Sequence, residues 1–333
     1  MSFSYFDTPK FLSTSLHVMT CFEIPVHLFG MYIILFKTPE AMKSVKWSMF
    51  NTHFWCMTLD LTISFLTTPF VIFPAIAGYP LGLLTELGVS TSAQIYLAVS
   101  IFAIVGIAVL GVFENRFYVL FAQNSFWEYL RVPFFVINYI MCVLFFIPPY
   151  LSIPDQILAL KVMRKELFSS ENLPPWVENG PVFVLTTDAT YSFISVFLIT
   201  LFIVSEILVF ILCLKFKMRS LAKTMNLSKT TLSMQKALLK AVHIQMCTPL
   251  TSLVPPLIYI AFTVYSRYYN QAFNNLCFVM ISLHGLASTI VMLLIHKAYR
   301  DVCFGIFCGQ RAYKTTPVLE SRRPSFVSHV QIT

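Results

Sequence analysis

Long runs without a single charge constrain this chain more than any other feature. Residues 87–113, 132–154, 241–266 and 268–296 hold no Asp, Glu, Lys or Arg. Each run exceeds the roughly 20 apolar residues that a helix needs to cross hydrocarbon. Three more apolar stretches carry one acid apiece: 11–36 with Glu23, 47–85 with Asp60 and 189–214 with Glu206. The spacing predicts seven spans, near 12–36, 49–74, 93–114, 132–152, 190–214, 238–264 and 272–296. A spanning strand would be about half as long and would alternate polar with apolar residues, so helices are the expected form. The fold class read from the sequence is therefore an all-α membrane protein, a seven-transmembrane helix bundle. Residues 1–11 precede it and a tail of 297–333 follows it. With 57% hydrophobic and 11% charged residues, the chain excludes a soluble globular enzyme, a disordered segment and a nucleic-acid binder.

The basic residues assign the sides. Alternate connections collect eighteen Lys and Arg on one side and five on the other. The longest basic run is Lys215, Lys217, Arg219, Lys223, Lys229, Lys236 and Lys240, between the fifth and sixth spans. The eighteen-side is the cytoplasmic one. The N-terminus is then outside and the C-terminus inside, with the first helix retained as a signal anchor. The longest external connection, 153–190, is acid-rich.

Polar residues inside the spans are expensive in lipid and face the bundle interior. Glu23 and His27 are four apart and share a helix face. Asp60 lies mid-span with Ser64 one turn on, and His284 and Ser288 form a comparable pair in the last span. A polar knot between the second and seventh helices is expected from these residues. It is either a two-state switch or static interhelical glue. Pro249 and Pro255-Pro256 are expected to kink the sixth span.

Glu114-Asn115-Arg116 ends the third span, where an Arg can offer its cation to a partner entering from the cytoplasm. Together with Pro249 it forms the expected coupling switch. Depth alone makes Gln94, Tyr96, Ser100, Tyr191, Ser192 and Ser195 pocket candidates, with Tyr259 and Thr263 further ones. Cys303 and Cys308 follow the last span in a basic and then apolar segment. That pattern suits a short helix on the inner leaflet with one or both thiols palmitoylated; an unmodified juxtamembrane tail is the alternative. No spacing of His, Cys or acids suggests a metal or cofactor site, and no nucleophile–base set suggests an enzyme.

Several of these segments also resemble one known family, class H of the nematode serpentine chemoreceptors within the Str superfamily. The similar segments are 38–64, running into Asp60, then Gly78-Tyr79-Pro80-Leu81-Gly82-Leu83-Leu84 and Phe113-Glu114-Asn115-Arg116-Phe117. Met234-Gln235-Lys236 through Gln245 and Pro249, Ser282-Leu283-His284-Gly285, and His296-Lys297-Ala298-Tyr299-Arg300 complete the set. The resemblance covers about 300 residues in order, and departs from the family at Ala298, where Pro is usual. It implies a G-protein-coupled receptor in the plasma membrane, on sensory-neuron cilia. The partners expected are a heterotrimeric G protein, an unidentified small molecule and membrane lipid, with a homo- or hetero-oligomer left open. A transporter or ligand-gated channel using the intramembrane acids is the alternative function.

Overall fold

The computed structural model describes residues 4–167, 174–224 and 229–307; most side chains within 221–250 lie outside that description. Its main helices are α1 (Pro9–Phe36), α2 (Lys43–Leu61), α3 (Thr91–Phe117), α4 (Trp127–Leu144), α5 (Thr190–Thr224), α6 (Lys229–Ser266), α7 (Gln271–Ser282), α8 (His284–Ile295) and α9 (Lys297–Phe307). Among the described residues, five helical segments are long and apolar enough to cross a membrane: Pro9–Phe36, Thr91–Ala122, Trp127–Leu151, Thr190–Ser220 and Gln271–Ile295. Thr251–Ser266, within α6, is a shorter apolar one. The last long segment is α7 and α8 in series, broken at Leu283.

Local chemistry sets the helix starts. Thr8 caps α1 by accepting from the Phe11 amide, with Pro9 in the first turn where its missing N–H costs nothing. Ser90 and Asn270 cap α3 and α7 in the same way. Along α1 the buried positions Leu12, Leu16, Thr20, Glu23, His27 and Gly30 recur every three or four residues. They form one inward stripe, while Phe22, Leu28 and Phe36 point out.

The second span differs from the sequence expectation of 49–74. Helix α2 runs on as a wider π-type turn over Thr62–Thr67, and Thr68 then takes a left-handed backbone at φ 43°. Residues beyond it form strands. Strand β1 (Pro69–Ile72) pairs antiparallel with β2 (Ala77–Pro80), opposing Phe70 to Tyr79. Strand β3 (Phe183–Val184) pairs with β2, opposing Gly78 to Phe183. Gly78 is required by crowding, because a Cβ there would sit 2.2 Å from the Phe70 carbonyl oxygen. The third helix also overruns its expected end at 114, continuing through Phe117 into a π-type turn over Tyr118–Ala122.

The small sheet is a lid on the outer end of the bundle. Beneath it, Leu12, Leu16, Phe70, Ile72, Val177 and Val184 make a buried cluster. Two amide side chains of α7 hold the hairpin of the lid, and a third holds the N-terminal segment. Gln271 Nε2 donates to the Val71 carbonyl at 3.0 Å and Asn274 Nδ2 to that of Phe73 at 3.2 Å. Asn275 Nδ2 donates to the Phe6 carbonyl at 2.8 Å. The 153–190 connection contains a helix over Gln156–Leu167 as well as β3. Gln156 bonds both backbone groups of Val184 and so joins the two. At the opposite end α9 lies against the bundle through Tyr299, which is fully buried with Val45, Met49 and Leu293.

Candidate functional site

Three features lie along the bundle from its outer to its inner end. The outermost is a chamber of about 350 Å³ roofed by the β-hairpin. Ile63, Phe102, Phe146, Val196, Ile260 and Phe278 line it, each from a different part of the bundle. Among the described residues, no acid, base or histidine is in its lining. The Gln94 amide turns away to Thr85 and the Val89 carbonyl, and the Tyr79 hydroxyl donates to the Trp176 carbonyl at 3.3 Å. Burial pushes the Tyr79 phenol up to about 12, so it stays neutral in ordinary conditions.

Below the chamber sits a polar knot with no solvent exposure. Both oxygens of Asp60 are filled. Oδ1 takes the Gly285 amide at 3.1 Å and faces His284 Nδ1 at 2.6 Å. Oδ2 takes the Leu286 amide at 2.8 Å and faces His27 Nε2 at 3.1 Å. The break at Leu283 explains the two amides: restarting a helix at His284 leaves its first N–H groups without internal partners. Asp60, on a different helix, satisfies them at the positive end of the α8 dipole. His284 Nδ1 also faces the Ile281 carbonyl at 3.1 Å, so two acceptors place its proton on that nitrogen.

The knot extends to α1 and α2. Thr289 Oγ1 lies 3.2 Å from His27 Nδ1 and 3.3 Å from His53 Nδ1, and bonds the Gly285 carbonyl. His53 Nε2 donates to the His27 carbonyl at 2.9 Å. Glu23 accepts from Ser64 at 2.8 Å, and Ser64 accepts from Thr20 at 2.9 Å. Two glycines make room for this packing. A Cβ at Gly285 would come within 2.5 Å of Asp60 Oδ2, and one at Gly30 within 2.7 Å of Thr289.

At the inner end, Glu114 and Asn115 share Arg131, while Arg116 turns elsewhere. Glu114 is fully buried and takes a two-pronged ion pair from Arg131 at 2.7 and 2.8 Å, plus the Trp127 indole N–H at 2.7 Å. The Arg131 guanidinium also lies over the Tyr118 ring. Asn115 donates to the Ser44 carbonyl at 2.8 Å, which ties α3 to α2. Arg116 is also buried, yet its Nε and one terminal nitrogen have no partner among the described residues. Its electrostatic neighbours are Tyr299 and His296, where α8 meets α9. Removing one member of a buried charge pair leaves the other uncompensated. Glu114→Ala is therefore expected to lower stability by about 2 kcal/mol, because Arg131 is partly exposed and can rehydrate. Denaturant unfolding in detergent measures this, and an unchanged midpoint would mean the pair is idle.

The structure thus brings together Glu23, His27, Asp60 and His284, which the sequence singled out. Ser288 is buried nearby and makes no hydrogen bond to the knot among the described residues. His53 and Thr289 were not singled out. Among the pocket candidates, Gln94 and Ser192 line the chamber, and the others lie outside its lining. Tyr96 donates to the Val143 carbonyl and packs edge-on to Tyr150. Ser100 is buried without a partner among the described residues. Tyr191 is exposed on the outer surface of α5, and Ser195 is half-buried. Tyr259 donates to the Asn270 carbonyl, and Thr263 to that of Ile260. Glu206 faces Asn138 at 3.5 Å between α4 and α5, away from the knot. Pro249 falls within α6, but its side chain is outside the described set. Cys303 is half-buried against the Tyr299 cluster, and Cys308 lies outside the described residues.

The chain is similar in sequence to known proteins. The family model of the serpentine type 7TM GPCR chemoreceptor Srh matches residues 7–309. Serpentine receptor class H-72 of Caenorhabditis elegans is 26% identical over 332 residues, spanning 94% of this chain and 92% of that protein.

Proposed function

Because this chain belongs to the serpentine type 7TM GPCR chemoreceptor family Srh, a family of multi-pass membrane receptors, we propose that it binds a small molecule in the outer chamber and signals to a heterotrimeric G protein on its inner face. Its place is the plasma membrane, on sensory-neuron cilia by family likeness. The chamber touches both α7 and the outer extension of α2. One step further in, the Asp60 knot joins α2 to the start of α8, directly after α7. A ligand with different affinity for two packings of α7 on α2 shifts their balance, and only such differential affinity can do so. Helix α8, held at its start by Asp60, carries that shift to α9 and Arg116.

The observation that carries the coupling half of this reading is Arg116, a buried cation with two donor nitrogens unfilled among the described residues, at the basic end of the bundle. A guanidinium in that state suits an acceptor-rich segment of an incoming protein. The test is expression with a promiscuous G protein and a chemical screen. A ligand-dependent G-protein response is expected. Ligand-gated currents that need no G protein would replace this reading with a channel.

A further inference from the structure

Resting on the receptor reading above, we infer that the chamber selects neutral, predominantly hydrocarbon molecules with at most one hydrogen-bonding group, which the Ser192 hydroxyl meets. Ser192 lines the chamber, is more than nine-tenths buried, and makes no hydrogen bond among the described residues. Most other polar donors of the lining are spent within the protein, while the Gln94 side-chain oxygen is buried without a partner among the described residues. Thr67 bonds the Thr62 carbonyl, and Gln94 and Tyr79 are held by Thr85, Val89 and Trp176.

Charge is excluded by the same lining. An ion entering the chamber sheds its water and meets no opposite charge, which costs several kcal/mol. The buried acids of the knot are not in the lining: Asp60 accepts four groups, and Glu23 accepts from Ser64 on one oxygen, the other having no partner among the described residues. Of the acids of the 153–190 connection, Asp155, Glu178 and Asp188 are not in the lining; the Glu166 side chain and Glu171 are outside the described set. Size is set by volume. An apolar cavity of about 150 Å³ suffices for benzene, so about 350 Å³ holds roughly twice that guest.

The experiment uses the full chain in phosphatidylcholine nanodiscs, with thermal unfolding read against a matched eight-carbon series: octane, octanol, octanal, octylamine and octanoic acid at neutral pH. Octanol and octanal are expected to raise the midpoint saturably. The ammonium and the carboxylate should need roughly a hundredfold more, or fail. Ser192→Ala should weaken octanal about three- to tenfold and leave octane unchanged. Ala98→Trp should abolish every shift by filling the chamber; if that variant does not fold, Val99→Phe narrows the same wall.

A bilayer acyl chain offers the same hydrocarbon chemistry, and the nanodisc arm separates the two sources. A shift that saturates with octanal and vanishes on filling the chamber marks a free guest. Lipid bound tightly enough to block every added compound leaves no shift and overturns the inference. Equal or stronger binding of octylamine or octanoate also overturns it. A G-protein signal evoked by a charged member would overturn the ligand class and leave the receptor reading standing. Saturable binding of octanal with no G-protein signal from any bound compound would do the reverse.

Discussion

Asp60→Ala is expected to be the most destabilising single change in the bundle, by about 4 kcal/mol or more. Its carboxylate receives four groups, two imidazoles and the first free amides of α8. Each buried donor left without an acceptor costs about 1–3 kcal/mol, and lipid supplies no water to replace the lost partner. The break at Leu283 makes the loss worse, because α8 would begin in the bundle centre uncapped. Asp60→Asn keeps the shape and one acceptor oxygen, so it should fold, reach the surface and lose most of its ligand response. Denaturant unfolding of the purified chain, beside surface labelling in cells, measures both. Asp60→Ala within about 1 kcal/mol of the parent would show that the knot contributes neither stability nor a switch.

Arg116→Ala should separate stability from signalling. Its unpartnered nitrogens are a buried liability in the resting chain, and truncating an unpaired buried polar group is neutral or stabilising. The variant is therefore expected to unfold no more easily than the parent, while its ligand-driven G-protein response falls at least about tenfold, the cost of one charge-assisted contact. A response lost together with stability would make Arg116 a packing residue. A preserved response would remove it from coupling.

The spans were legible because hydrocarbon allows so few solutions. A chain with four uncharged runs of this length satisfies its backbone in lipid as helices. The lid was not legible. Its strands are two to four residues long and contain Pro69 and Pro80, so no alternation could announce them. The end of the second span was misplaced for the same reason, since residues 69–74 are as apolar as the helix before them.

Asp60 and His284 stood out as polar groups in apolar surroundings, whereas on the same two helices Thr289 is a residue type common at helix interfaces and His53 follows Asn51 and Thr52. Direction around a helix was the harder problem. Helix α3 is apolar on all sides, so nothing in its pattern told Gln94, which lines the chamber, from Tyr96, which turns toward Val143. Adjacency likewise suggested that Glu114 and Arg116 act together. Two residues apart on a helix they face different ways, and Glu114 takes Arg131 as its partner instead.

The central claim is that the outer chamber and the inner face are coupled through one bundle. Its most direct test is nucleotide exchange on a purified heterotrimeric G protein, catalysed by the full chain in nanodiscs with and without an agonist from the cellular screen. The account predicts agonist-dependent acceleration that is absent in Arg116→Ala and lost when Ala98→Trp fills the chamber. Exchange that ignores the agonist, or an agonist effect that survives filling of the chamber, would contradict it.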